Sequence, residues 1–201
     1  MTDAASPTGL ILASGSPRRR SLLQALGLSI QVVHPDIDET QQAEESVIEY
    51  VTRMALEKAS AGRALTDSPL PLVAGDTVVA LGEQVFGKPV DRDDAVRMLV
   101  ELGGRTHSVH TSVAVDYDCN VACSVVSSAV TFMRISEATA AAYWDSGEPA
   151  DKAGAYGIQG LGARFVEHLA GSYSAVMGLP VHETANLLSD CGIEIFGQAT
   201  T

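Results

Sequence analysis

The sequence predicts a mixed α/β (α+β) domain whose sheet is partly antiparallel, and three observations predict it. A short apolar run at 10–13 leads through Ser14-Gly15-Ser16 into a helix-like segment opened by Pro17. Further along, apolar runs of strand length alternate with segments of helical period. Two long Val-, Ser- and Thr-rich segments, 106–117 and 121–135, are joined by Asp118-Cys119-Asn120 and read as an antiparallel hairpin. The 201 residues, 46% of them hydrophobic, suffice for one domain, or two closely joined lobes, with a sizeable core.

The elements follow in order. After the first strand, Ser16 caps a helix whose apolar stripe is Leu22, Leu23 and Leu26, and Gly27 stops it. A strand, a small-residue turn and a helix N-terminus make an anion site, because free backbone N–H groups and the positive end of the helix dipole converge there. Arg18, Arg19 and Arg20 lie in that first turn, where cations oppose the dipole. Either an anion requires them or they form a solvated basic turn. Residues 44–65 carry Val47, Ile48, Val51, Met54, Ala55 and Ala59 at helical period. Lys58 shares that stripe, where a lysine ordinarily snorkels to the helix edge.

Residues 72–74 read as a buried strand, interrupted at Gly75-Asp76-Thr77 and resumed at 78–81. Gly82-Glu83 turns a hairpin into Gln84-Val85-Phe86, which Gly87-Lys88-Pro89 ends. Asp91 caps the next helix, with Ala95, Met98, Leu99 and Leu102 on its apolar face and Gly103-Gly104 as its stop. Beyond the long hairpin, a helix starts at Ser136 and ends near Gly147. The glycine-rich tract 151–162 is a loop through which backbone can approach a ligand. A strand at 165–169 and a helix at 180–188 complete the order.

The net charge of −12 argues against nucleic acid and anionic membrane as partners. Asp36, Asp38, Glu39, Glu44, Glu45 and Glu49 follow one another with no Lys or Arg between them, so the arginines at 18–20 stand out as a local site. Residues 1–9 lack the basic start of a signal peptide, and no apolar stretch approaches the ~20 residues of a membrane span. Cys119, Cys123 and Cys191 are sparse and without ligand spacing, which suggests reduced thiols in the cytoplasm rather than zinc. His107 and His110 lie three apart in an extended run and so face opposite ways.

Asp76, flanked by small residues, suits a metal ligand, a base or a turn cap. Glu39 lies in the acidic loop, and Lys88 lies between glycine and proline at a hairpin end. A phosphate cradle, two carboxylates in loops and two lysines near element ends together suit metal-assisted attack on a phosphoanhydride.

Six motifs, in order, carry a resemblance: Ser14-Gly-Ser16-Pro-Arg18-Arg19, Asp36-Ile-Asp-Glu39, Glu57-Lys58-Ala59, Gly75-Asp76-Thr77-Val78-Val79, Gly87-Lys88-Pro89 and Ala153-Gly-Ala-Tyr-Gly-Ile-Gln159-Gly. Over roughly residues 9–195 the chain resembles the Maf family of nucleoside triphosphate pyrophosphatases. The family more often reads Gly-Ala-Asp-Thr where this chain has Ala74-Gly75-Asp76-Thr77, an exchange of one small neighbour for another. The resemblance implies an inosine-triphosphate-pyrophosphatase-like fold: an elongated mixed sheet with flanking helices and a central cleft. It implies a flexible N-terminus at 1–8 and one catalytic domain of two lobes at 9–197. It also implies hydrolysis of a nucleoside triphosphate to monophosphate and pyrophosphate with a divalent cation, a homodimer, and the family's early association with septum formation. Thr77 and Gln159, with Arg19, resemble the subgroup acting on dTTP and UTP, and modified pyrimidine triphosphates would be further substrates.

The expected assignment follows. Glu39 and Asp76 hold Mg²⁺ or Mn²⁺, and Asp76 is also the general base or an orienting carboxylate. Ser16, Arg18 and Arg19 bind phosphate oxygens, and Lys58 and Lys88 neutralise developing charge. Thr77 and Gln159 are further substrate-binding residues that mark the pyrimidine subgroup, and Gln159 meets the base. A Gln amide can donate to O4 of uracil or thymine and accept from N3–H; flipped, it could match cytosine. Two alternatives belong beside this reading. One is a pyrophosphatase for 7-methyl-GTP or other modified purine triphosphates. The other is a non-catalytic, nucleotide-sensing regulator of cell division. A base and two lysines favour turnover over binding alone.

Overall fold

A computed structural model of the chain describes residues 9–193 and 195. The expected flexible segment 1–8 lies outside them, as do 194, 196 and 197 of the expected domain. The strands are β1 (Gly9–Ala13), β2 (Ser29–Val33), β3 (Leu72–Leu81), β4 (Gln84–Phe86), β5 (Thr106–Tyr117), β6 (Asn120–Phe132) and β7 (Val166–Ala170). The helices are α1 (Pro17–Ala25), α2 (Val47–Arg63), α3 (Arg92–Leu102), α4 (Glu137–Trp144), α5 (Tyr173–Met177) and α6 (Val181–Asp190). The strands form one mixed sheet in the order β2-β1-β3-β5-β6-β7, with β4 also on β3. β1 pairs in parallel with β2 and β3, and the other pairings are antiparallel. The mixed α/β class read from the sequence holds.

Alternation along the strands explains the two-sided core. Leu10, Leu12 and Val73 pack with Leu23 of α1 and Leu188 of α6. Ile11, Ala13, Leu72 and Ala74 turn the other way onto Ala55 and Ala59 of α2. Towards the far half of β3, Val79, Phe86, Val109, Phe132 and Tyr156 meet Leu99 and Leu102 of α3. Each fully buried Leu or Phe contributes about 1.5–3 kcal/mol, so these clusters supply most of the drive to fold.

Several expected boundaries move. The interruption expected at 75–77 does not exist: β3 runs unbroken, with Gly75 opposite Val113 and Asp76 opposite Ser112. A Cβ on Gly75 would stand 2.7 Å from the Ser112 carbonyl oxygen. Glycine is there for the close approach of β5, not for a turn. The helix expected at 44–65 is shorter, because a capping box between Ser46 and Glu49 starts it at Val47. β6 ends at Phe132 rather than 135, although backbone bonds continue its register with β5 past the strand end, from the Phe132 amide to the Arg105 carbonyl and from the Gly104 amide to the Met133 carbonyl. The glycine-rich tract is a loop of short 3-10 turns at Pro149–Asp151, Ala153–Ala155 and Leu161–Phe165. β7 and α6 each begin one residue later than expected. Neither β2 nor α5 was expected. β2 is a half-exposed edge strand, and α5 is a five-residue helix capped by Ser172.

Candidate active site

The site forms where β3 loses its neighbours. β1 pairs with β3 only as far as Ala74, and β4 joins it only from Val79. Between them, Gly75–Val78 presents a strand edge without a partner strand among the described residues. The cleft opens there, at the C-terminal end of β1, where a ligand crevice is common in sheets of this kind. Its cavity, about 560 Å³, is lined by every residue that the sequence nominated: Ser16, Arg18, Arg19, Glu39, Lys58, Asp76, Thr77, Lys88 and Gln159. That volume lies within the usual range for small-ligand pockets.

The strand edge lets both faces of β3 reach the cleft. Asp76 lies on the α2 face and Thr77 on the other. Lys58 Nζ donates to Asp76 Oδ1 at 2.8 Å and forms an ion pair with Glu39 Oε1 at 3.0 Å. Lys58 therefore does not snorkel; only 7% of the residue is exposed. Asp76 is 9% exposed and is no turn cap. Glu39 is exposed, on a loop tied to α2. Tyr50 donates its hydroxyl to the Glu39 carbonyl at 2.7 Å, and Arg53 forks onto Glu45 at 2.6 and 2.8 Å while holding the Thr40 carbonyl. Burial, reinforced by the charges of Asp76 and Glu39, pushes the Tyr50 hydroxyl up to about 12.

On the opposite face, Arg19 is the organising side chain. It donates to the Gly178 carbonyl at 2.8 Å, to Ser14 Oγ at 3.1 Å and to Thr77 Oγ1 at 3.2 Å. Thr111 lies 3.2 Å from Thr77 and donates to the Ala175 carbonyl at 2.7 Å. Burial pushes the Arg19 guanidinium down, and the charge of Asp76 opposes that shift. Three of its five N–H groups face protein acceptors, leaving two for a ligand. Arg18 instead forms a salt bridge with Asp151 of the glycine-rich loop at 3.0 Å. Ser16 caps α1, accepting from the Arg19 amide, and its own amide bonds to Ser14 Oγ. Arg20, Lys88 and Gln159 are exposed, and of these only Lys88 and Gln159 line the cavity.

Glu39 and Asp76 form a pair bridged by a lysine. Among the described residues no group of three His, Cys, Asp or Glu gathers as a ready metal site. The donor chemistry nonetheless fits Mg²⁺, which typically takes one or two carboxylates and completes its shell with substrate phosphate and water. Asp76 Oδ2 and Glu39 Oε2 accept no hydrogen bond from the described residues.

Sequence reasoning missed Tyr50, Thr111 and Asp151. Tyr50 and Lys58 are eight residues apart on α2, so helical spacing carried a signal for Tyr50; no local signal marks the other two. The two histidines do face opposite ways: His107 is buried against Phe132 and Tyr156, and His110 bonds to Ser127. No helix among the described residues is long and apolar enough to cross a membrane.

Residues 9–191 match the family described as Maf-like protein. The chain is 49% identical over 192 residues to a dTTP/UTP pyrophosphatase of Chromobacterium violaceum, covering 94% of this chain and 97% of that one. It is 52% identical over 187 residues to one from Xanthomonas oryzae pv. oryzae, covering 91% and 98%. Among solved structures, the Staphylococcus aureus Ham1 protein aligns with a TM-score of 0.44 and 16% identity over 79% of each chain. With the family's match spanning the whole sheet and both sides of the cleft, the chain belongs to the Maf family.

Proposed function

We propose that this chain hydrolyses dTTP and UTP to the nucleoside monophosphate and pyrophosphate. The observation that carries the reading is the Glu39–Lys58–Asp76 cluster, set in one cavity with two arginines, two further lysines and Gln159. The names of the two relatives described above, each a dTTP/UTP pyrophosphatase, support the substrate.

The residues divide the work. Arg18, Arg19 and the N-terminus of α1 bind the polyphosphate. Lys58 fixes Asp76 through Oδ1, so Oδ2 is the oxygen left to take a proton from water. That water attacks the α-phosphorus, its proton passes to Asp76, and the α–β anhydride bond breaks to release pyrophosphate. Lys58 and Lys88 offset the charge that accumulates. Glu39 and Asp76 would hold Mg²⁺ or Mn²⁺, which supplies Lewis-acid polarisation of phosphate oxygens. Gln159 reads the pyrimidine edge through its amide. Thr77 acts from beneath, through the Arg19 guanidinium that it helps to hold.

The test is pyrophosphate release from a panel of UTP, dTTP, CTP, GTP, ATP and 7-methyl-GTP. UTP and dTTP are expected to lead. Gln159→Glu places an acceptor opposite O4, so kcat/KM for UTP should fall roughly 5- to 150-fold while 7-methyl-GTP falls less. No turnover of any triphosphate would refute the enzyme reading.

A further inference from the structure

The loop that carries Gln159 is built around a carboxylate for which the proposed chemistry has no use. Glu148 Oε2 accepts from the Leu161 amide at 2.7 Å, and Oε1 accepts from the Gly162 amide at 3.0 Å. Oε1 also accepts from the Tyr143 hydroxyl at 2.6 Å, and that hydroxyl receives the Gly157 amide at 3.1 Å. Both ends of the segment 157–162 therefore hang on Glu148, one directly and one through Tyr143. The loop closes so tightly that a Cβ on Gly160 would stand 2.2 Å from Glu148 Oε2. Gln159 lies between these anchors, exposed and lining the cavity.

We infer that Glu148 is a positioning residue for base selection, fixing the turn that presents Gln159 to the pyrimidine. The inference rests on the proposed reading of Gln159 as the base-recognising group. Glu148 lines no part of the cavity and has no contact with Asp76, Lys58 or Glu39, so its role is distinct from the chemistry. Burial pushes its carboxyl up, but the Tyr143 hydroxyl and the two loop amides outweigh burial and leave it below the usual range. It is thus an anion at neutral pH, and an anion accepts two amides and a hydroxyl without conflict. A glutamine of the same shape cannot, because its NH₂ would meet an N–H donor.

The test is a double-mutant cycle on Glu148→Gln and Gln159→Ala, with kcat and KM measured for UTP, CTP and GTP. Glu148→Gln should raise KM for UTP about 5- to 50-fold, shrink the preference for UTP over CTP and leave kcat within threefold. In the Gln159→Ala background the same change should alter KM by less than twofold. Amide hydrogen exchange across 157–162 should speed up in Glu148→Gln. If that variant does not fold, Tyr143→Phe removes the bridge to Gly157 and is measured in the same cycle. A fall in kcat at constant KM, full additivity with Gln159→Ala, or unchanged exchange would overturn the proposal. The parent is assayed first. A parent indifferent to the base overturns the Gln159 reading and this inference together, whereas a parent preference that Glu148→Gln retains overturns the inference alone.

Discussion

Lys58 Nζ stands 2.8 Å from Asp76 Oδ1, and the two side chains are only 9% and 12% exposed. This ion pair joins α2 to the centre of β3 at a stretch where the strand has no neighbour on its cleft side among the described residues. It fixes the carboxylate and, on the proposed reading, sets the ammonium beside the phosphates.

Removing one partner of a buried pair strands the other. Lys58→Met should destabilise the protein by about 3 kcal/mol, the low end for such a change because the pair borders an open cavity. Asp76→Asn combined with Lys58→Met should cost less than Lys58→Met alone. Urea melts of the two variants and the parent make the comparison. A double variant less stable than Lys58→Met would contradict it.

Gly75→Ala should be disproportionately damaging for one methyl group. The new Cβ would meet backbone, the Ser112 carbonyl, at 2.7 Å, so β5 must shift away from β3 beside Asp76. We expect a loss of about 1–3 kcal/mol together with a large fall in activity. A variant as stable and active as the parent would show that the strands can separate freely.

His107 sets a pH dependence. It is buried, its Nε2 bonds to the Tyr156 hydroxyl at 2.9 Å, and its Nδ1 has no partner among the described residues. Burial pushes its pKa down to about 4, against about 6.5 in an unfolded chain. The unfolded state therefore binds the proton first as pH falls. The stability is complete above about pH 6.5 and is lost progressively towards pH 4, to a total of about 3 kcal/mol. His107→Gln keeps a polar partner for Tyr156 but does not titrate. Its stability, followed by urea melts from pH 7 to 4, should fall less steeply than the parent's; equal slopes would remove His107 from the acid response.

Divalent metal should be required. The support is the pair of carboxylates, Glu39 and Asp76, on a cavity lined also by Arg18, Arg19, Lys58 and Lys88. Exhaustive chelation should abolish pyrophosphate release, and Mg²⁺ or Mn²⁺ should restore it. Full activity after chelation would rule out the metal.

What the sequence made legible was local. Ser16 and Pro17 marked the start of α1, Asp91 capped α3, and Gly82-Glu83 turned β3 into β4, as expected. Gly75-Asp76-Thr77 misled, because its composition is that of a turn. Its glycine answers a close approach by β5 and its aspartate answers Lys58, both distant in sequence. The same distance hid the Arg19–Thr77–Thr111 network, which joins residues 58 and 34 apart. α5 spans five residues, little more than one helical turn, too few for a helical period to register, and β2 is a half-exposed edge strand without a run of apolar residues long enough to stand out. The glycine-rich composition marked residues 151–162 as a loop, but the tether of that loop to Glu148 depends on backbone amides, which leave no pattern of side chains.

Asp76→Asn tests the central claim most directly. The substitution keeps the size and position of the side chain while removing its charge and its capacity to take a proton. Pyrophosphate release from UTP should fall about 10²-fold or more, with the circular dichroism spectrum of the folded protein retained. A folded variant that keeps activity within tenfold of the parent would remove Asp76 from the mechanism.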